Sequence, residues 1–437
     1  MSLLEKVASR GELLNAWLSI KHRPQSKGID SLTIKDFADN LHVNLRELGK
    51  RVRSQNYKFE KLRGHPVPKG PDSIRPLRIA TVGDRVVQKA ILRNIQGRLE
   101  KRFKINNPVS FAFTKGKTVM LALKRVRELY LGGYKWVYSG DIQTFFESIP
   151  PQQLLADYIY PVLPDRTLDA LILGGLNNEI GNLDEMKRWA SHFVTSDTGI
   201  PQGSILSPTF ANAYLTEFDQ AMIRSEFELV RYADDFVVMC RSEEAAFRAH
   251  ELAQEILEKK LKLKLHEVGG GKSIIGRFNI LDFLGFRFEG ERIYPGAKAT
   301  KKMAKLLEDF RKNPPDKTLI ANLNYIREKT NFWGATYYYA LINPTIYDHL
   351  DESLAAGVAN AIRKHDFEPM RMFTPAGLSG IGIPTLTENT RRFRVQNPKE
   401  FLEFYPDDSS ECNNTSTAKD QRSETESYSS KNLPIPF

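Results

Sequence analysis

The chain has 437 residues, of which 41% are hydrophobic, enough to build ample cores in more than one domain. Lys and Arg number 63 against 53 Asp and Glu, and the net charge of +10 favours a polyanionic partner, although surplus cations also serve solubility. Two cysteines, Cys240 and Cys412, exclude a disulfide framework and a cysteine zinc site, and a reducing compartment is the simplest expectation.

The first twenty residues alternate apolar positions with Glu5, Lys6, Arg10 and Glu12, which predicts an amphipathic helix rather than a signal peptide. No apolar run approaches membrane-spanning length, so a cytoplasmic protein without membrane contact is expected. Residues 33–53 and 84–103 carry helical patterns rich in basic side chains, with a hairpin expected around Gly70 to Ser73 between them. Residues 134–139 read as a strand that ends in Gly140-Asp141 and runs on into Ile142-Gln143-Thr144-Phe145-Phe146. Next comes the loop Gly199-Ile200-Pro201-Gln202-Gly203-Ser204, followed by a helix with Ser207 as its expected N-cap and Pro208 at its first position. That helix carries Phe210, Tyr214, Leu215, Phe218 and Met222.

Phe227, Leu229 and Val230 then lead into Arg231-Tyr232-Ala233-Asp234-Asp235-Phe236-Val237-Val238, which places two aspartates at the tip of a tight hairpin. Residues 241–263 have apolar positions at helical spacing, the pattern of a helix packed on a sheet. From about residue 300 the pattern is helical again, over 319–339 and 347–365. After residue 405 acidic residues give way to Ser, Thr and Asn, and such a segment cannot bury enough surface to offset its ordering entropy, so it is expected to be disordered.

Adjacent carboxylates repel unless a cation lies between them, and a turn that needs only polarity more often uses Asn or Gly. Alone, Asp234 and Asp235 suit a surface hairpin equally well. Asp141 at a second strand end changes the balance, because two Mg²⁺ ions about 4 Å apart need several hard oxygen ligands from separate strands. Such a site drives in-line attack on phosphorus. Lys272 follows Gly269-Gly270-Gly271, but a phosphate-binding Walker loop needs a glycine where the chain has His266.

The ordered set of segments resembles the prokaryotic reverse transcriptases of the group II intron lineage. The resemblance runs from Lys27-Gly28-Ile29-Asp30 through Pro66-Val67-Pro68-Lys69, Arg75-Pro76-Leu77 and the segments above to Phe283-Leu284-Gly285-Phe286. It implies an α+β right-hand polymerase with a ferredoxin-like split βαβ palm, helical fingers and a helical thumb. Fingers with an N-terminal extension are expected over 1–135, palm over 136–290, thumb over 291–405 and a free tail over 406–437.

By the same resemblance Asp141, Asp234 and Asp235 are the catalytic, metal-binding carboxylates, with the Ile142 carbonyl as a further ligand and Mg²⁺, or Mn²⁺, as the metal. Lys69 and Arg75 would grip the triphosphate of a dNTP, Phe146 would exclude a ribose 2′-hydroxyl, and Gln202 and Gly203 would line the nucleotide pocket. Lys272 would lie near the phosphates, and Leu284 and Gly285 would support the primer end. Packing in the core is the competing reading for Phe146, as a solvated turn is for Lys69 and Arg75.

The pattern also departs from its relatives. Ser110-Phe111-Ala112-Phe113 runs into Thr114 where an Arg is usual, which leaves template contacts there undefined. No paired-cysteine HNH nuclease follows, nothing resembles a fused CRISPR integrase, and neither a retron signature nor the Pro208 replacement of diversity-generating enzymes is present. The leading expectation is an enzyme that copies a structured noncoding RNA into DNA in bacterial antiviral defence. The alternatives are a group II intron reverse transcriptase and maturase lacking its endonuclease, and a non-catalytic RNA-binding splicing cofactor that keeps the palm as a scaffold. Oligomeric state and any protein partner are left open.

Overall fold

The computed structural model describes residues 1–22, 27–70, 72–193, 199–315, 318–364, 374–405 and 408. The tail expected to be disordered therefore lies outside the described residues, apart from Asp408. The chain divides into two compact units, one of residues 1–117 and 136–276, the other of 118–135 and 277 onward.

The first unit is built on a four-stranded sheet of order β4-β5-β3-β6, with β3 at Trp136–Asp141, β4 at Glu228–Tyr232, β5 at Asp235–Cys240 and β6 at Ile274–Arg277. Strands β3 and β4 both pair antiparallel with β5. Their apolar residues are buried almost without interruption, because helices Ser207–Arg224 and Glu243–Ala253 pack on this sheet. Gly140 lies across from Phe236, where an added Cβ would sit 2.5 Å from the ring, and that ring packs edge-on against Tyr138 and Phe218.

A separate antiparallel hairpin joins β1 (Arg63–Gly70) to β2 (Ser73–Ile79). Helix Val82–Phe103 follows, and one continuous core runs from Leu13 and Trp17 through Val86, Ile91 and Ile95 to Phe210, Tyr214, Phe218 and Phe236. The residues read as fingers and those read as palm thus share their interior.

Four local expectations change. The helix expected over the first twenty residues is two, Leu3–Val7 and Arg10–Ile20, because Ser9 leaves the helical region and caps the second. The pattern over 33–53 breaks into helices Ile34–Asp39 and Leu41–Arg53 at Asn40, whose φ of −121° and ψ of 33° leave the helical region. The helix expected over 241–263 becomes an α-helix to Ala253 and then a π-helix over Gln254–Lys260. Ser207 is not the N-cap of its helix: Leu206 holds that position, Ser207 is the first helical residue, and its buried hydroxyl has no partner among the described residues. Ser204 accepts the Leu206 N–H at 3.2 Å instead.

The second unit contains a three-stranded antiparallel sheet of order β7-β8-β9, with β7 at Ile280–Phe283, β8 at Phe286–Glu289 and β9 at Arg292–Pro295. Helices Ala297–Lys312 and Pro344–Arg363 pack together, as do Leu319–Tyr337 and Leu386–Gln396. Trp333, Tyr337 and Tyr347 fill its interior, where the Trp333 indole N–H donates to the Tyr347 hydroxyl at 3.2 Å. These aromatic side chains are packing residues. Residues 118–135, read with the fingers, and 277–290, read with the palm, belong to this unit.

Candidate active site

Tyr232 pairs with Asp235, so β4 and β5 are joined by a two-residue turn made of Ala233 and Asp234. Ala233 takes a left-handed φ of 58°, uncommon for a residue with a Cβ. Asp235, the first residue of β5, lies directly across from Asp141, the last of β3. Opposed residues of an antiparallel pair share a sheet face, so the register brings these two carboxylates to one side.

Beyond β3 the chain continues to pair: the Gln143 N–H donates to the Lys264 carbonyl at 2.8 Å and the His266 N–H to the Asp141 carbonyl at 3.1 Å. Ile142, buried, bridges Leu265 between them. This extension delivers His266 and the loop after it to Asp141. The loop closes on itself through Gly269 N–H to the Ser273 carbonyl at 2.9 Å, and Ser273 Oγ donates to the Ser139 carbonyl at 2.9 Å. Lys272 is thereby presented to Asp141, its Nζ 3.0 Å from Oδ2 and 3.1 Å from His266 Nε2.

Asp234 is half-buried. Burial pushes its carboxyl up to about 6, the charge of Asp141 pushes the same way, and its own backbone N–H, Arg75 and Lys69 pull against that rise. The two cations of the β1–β2 hairpin are therefore close enough for their charge to act on Asp234. Arg75 lies opposite Val67 within the hairpin, and the exposed Lys69 sits where the register shifts between Pro68 and Gly70.

Phe145 is buried in the core, whereas Phe146 is only partly covered, with its ring 5.2 Å from that of Phe145. Successive residues of the short helix Phe145–Ser148, which follows the left-handed Thr144 at φ 43°, point about 100° apart and so diverge. The Phe146 carbonyl accepts the Ile200 N–H at 2.8 Å, which ties the Phe146 segment to the Gln202 loop. Gln202 Nε2 donates to Glu147 Oε1 at 2.8 Å, and the Gln202 carbonyl accepts the Arg78 N–H at 2.8 Å. Gly203 has a φ of 125°, and an added Cβ would lie 2.2 Å from the Arg78 carbonyl oxygen.

Leu284 and Gly285 form the left-handed tip of the β7–β8 turn, with φ of 53° and 82°. They belong to the second unit, whereas Asp141, Asp234, Asp235, Lys69, Arg75, Phe146, Gln202, Gly203 and Lys272 all belong to the first.

Whether these residues suit Mg²⁺ is decided by their donor chemistry. The candidate ligands are hard oxygens, Asp234 feels the charge of Asp141, and the Lys272 ammonium already stands against Asp141 as a cation does. A divalent ion fits that environment. As they stand, no three acidic, histidine or cysteine side chains among the described residues are gathered closely enough to form a cage.

Sequence reasoning missed Glu147 and Arg78. Arg78 is fully buried, its Nη1 donates to the Pro76 carbonyl at 3.2 Å, and Nε and Nη2 have no hydrogen-bond partner among the described residues. The available signal was its spacing in β2, four residues after Ile74, which puts both side chains on the same strand face.

Comparison with known proteins closes the identification. Residues 67–288, half of the chain, match the family described as reverse transcriptase (RNA-dependent DNA polymerase). Protein YkfC of Escherichia coli K12 is 26% identical over 277 residues, which cover 55% of this chain and 70% of that protein. The group II intron-encoded protein LtrA of Lactococcus lactis is 31% identical over 163 residues, 37% of this chain and only 25% of LtrA. A solved partial Cas6-RT-Cas1–Cas2 complex aligns with a TM-score of 0.36 and 26% identity, over 60% of this chain and 42% of that one. The paired carboxylates lie inside the matched segment, and the chain belongs to the reverse transcriptase family.

Proposed function

We propose that this reverse transcriptase extends a primer on an RNA template with dNTPs, using Mg²⁺ held by Asp141, Asp234 and Asp235 and the Ile142 carbonyl. One observation carries the reading: Asp234 lies within electrostatic reach of Asp141 and also of Arg75 and Lys69. That arrangement suits a triphosphate held between cations and carboxylates. Bound divalent ions would lower the pKa of the primer hydroxyl and offset charge on the leaving pyrophosphate.

The remaining work falls to side chains. Arg75 offers a planar fork for phosphate oxygens, and Lys69 adds a point charge from the exposed bulge. Phe146, fixed beside the Gln202 loop by the Ile200 hydrogen bond, presents its ring to the sugar. Gly203 leaves the loop backbone open to close approach. Lys272 holds Asp141 in place until substrate arrives and then lies within reach of the departing phosphates, and Leu284 with Gly285 supports the primer end.

Primer extension on an RNA template, with and without Mg²⁺, tests this reading against the variant Asp234→Asn with Asp235→Asn. Loss of incorporation in a folded double variant supports it; retained incorporation refutes it. For the biological role we place the enzyme in bacterial antiviral defence in the cytoplasm, copying a structured noncoding RNA. Sequencing the RNA that copurifies with the protein tests that assignment: one structured noncoding species supports defence, whereas a spliced intron assigns the chain to intron mobility, as the likeness to LtrA would suggest.

A further inference from the structure

Behind the aspartate turn lies a buried charge pair that none of these roles uses. Arg231 of β4 and Asp219 of helix Ser207–Arg224 are both fully enclosed, at 0% exposure. They meet through two parallel bonds, Nε to Oδ1 and Nη2 to Oδ2, each 2.7 Å. The other guanidinium hydrogens are also committed. Nη1 donates to the Ala233 carbonyl at 3.0 Å and to Asn212 Oδ1 at 3.2 Å, and Nη2 donates to Ser110 Oγ at 2.9 Å.

The surroundings hold this fork from every side. Asp219 Oδ2 also accepts Asn107 Nδ2 at 2.8 Å, and Lys117 Nζ binds the Ser110 carbonyl at 2.7 Å together with that of Asn107. The Val109 carbonyl accepts the Arg231 N–H at 2.8 Å, while the Phe111 N–H donates to the Arg231 carbonyl at 2.9 Å. A buried ion pair is weak grounds for stability, because desolvation of both charges offsets most of their attraction, and well-packed apolar residues often serve as well. A planar fork does supply what an apolar side chain cannot, namely direction.

Direction is what the turn needs. Ala233 is held left-handed at φ 58° without the freedom of glycine, and its carbonyl, which belongs to the peptide joining it to Asp234, points at Nη1. The orientation of that peptide sets where the Asp234 side chain leaves the backbone. We propose that Arg231, locked by Asp219, is a positioning residue that fixes the Ala233–Asp234 peptide and so aims the Asp234 carboxylate. The role rests on the polymerase reading of Asp234, but its consequence for cation binding can be measured apart from turnover.

The test is Arg231→Lys in the full chain. Lysine keeps the charge beside Asp219, but its three donors cannot satisfy Asp219, Asn212, Ser110 and Ala233 together. The expected result is a cooperative unfolding transition, kcat lowered about tenfold or more with the dNTP KM within about twofold, and Mn²⁺ affinity, read by electron paramagnetic resonance without substrate, weakened at least about threefold. Unchanged kcat and Mn²⁺ affinity would overturn the assignment. If Arg231→Lys does not fold, Ser110→Ala and Asn212→Ala loosen the fork from opposite sides; smaller losses of kcat and Mn²⁺ affinity support the role, and wild-type values in both refute it. A wild-type protein inert on every template would count against the polymerase reading, and the Mn²⁺ ratio alone would then decide the role of Arg231.

Discussion

Replacing Gly203 with Ala tests whether the Gln202–Gly203 loop is held as tightly as its contacts imply. An alanine at φ 125° adopts backbone angles that residues with a Cβ avoid, at a cost of about 1–3 kcal/mol. The added methyl would also sit 2.2 Å from the Arg78 carbonyl oxygen, a backbone atom that cannot swing aside like a side chain. Relief requires the loop to retreat from β2, which breaks the Arg78 N–H to Gln202 carbonyl bond, worth about 0.5–1.5 kcal/mol. Together these amount to about 2–4 kcal/mol.

If the first unit as a whole absorbs that strain, Tm falls by about 4–7 °C. If the loop moves instead, Gln202 leaves Glu147 and kcat/KM for dNTPs drops by roughly 10²-fold at nearly constant Tm. Gly116→Ala is the control, because Gly116 has a φ of 78° but nothing within 4 Å of an added Cβ, so it isolates backbone strain from collision. Differential scanning fluorimetry and steady-state primer extension measure the two routes. A Gly203→Ala protein within about 2 °C of wild type and within twofold in kcat/KM, or one no worse than Gly116→Ala, would refute the reasoning.

In metal-free protein the folded Asp234 carboxyl, pushed up to about 6, keeps its proton over a range where the unfolded chain, near 3.8, has lost it. Stability therefore falls as pH rises from about 4 to about 6 and is flat above, by at most about 3 kcal/mol and less where water screens the half-buried group. Asp234→Asn should flatten that part of a pH series of denaturant midpoints, and an unchanged slope would show that Asp234 is not its source. The double variant Asp234→Asn with Asp235→Asn should lose dNTP incorporation while gaining or keeping Tm at pH 7, since like charges are removed. Phe146→Val should raise the kcat/KM for ribonucleotides relative to deoxynucleotides, whereas an unchanged ratio with lowered Tm would make Phe146 a core residue. Arg75→Ala should weaken dNTP use by about 1.5–3 kcal/mol with RNA affinity unchanged, and equal loss of both would place Arg75 on the template path.

The β4–β5 hairpin was legible because its strands are apolar runs joined by a turn too short to hide its residues. The two-residue connection follows from the spacing of Tyr232 and Asp235. Less legible were features that depend on distant partners. Nothing near Lys272 in sequence announces Asp141, because their meeting depends on residues 264–266 adding to the end of β3. The Ser207 expectation failed for a local reason: helical dihedrals begin one residue earlier, at Leu206, with φ −76° and ψ −39°. Arg231 and Asp219 left a faint signal that went unused, each a lone charge among buried apolar neighbours, where a partner of opposite sign is the usual requirement.

The second unit is discontinuous in sequence, and this limits how the protein can be cut. Helix Val119–Leu131 precedes every strand of the sheet that carries the aspartates, yet it is tied to residues far downstream. The Phe278 N–H donates to the Lys135 carbonyl at 2.8 Å, the Tyr130 and Phe278 rings stand 5.0 Å apart, and Lys124 pairs with Glu403 at 2.7 Å. A chain stopped after residue 276 would strand this helix, which buries Leu123, Val126 and Leu129 in the whole chain, without its contacts to Phe278 and Glu403. A minimal polymerase fragment made by C-terminal deletion alone should therefore aggregate, whereas one in which a short polar linker also replaces residues 118–135 has a route to solubility.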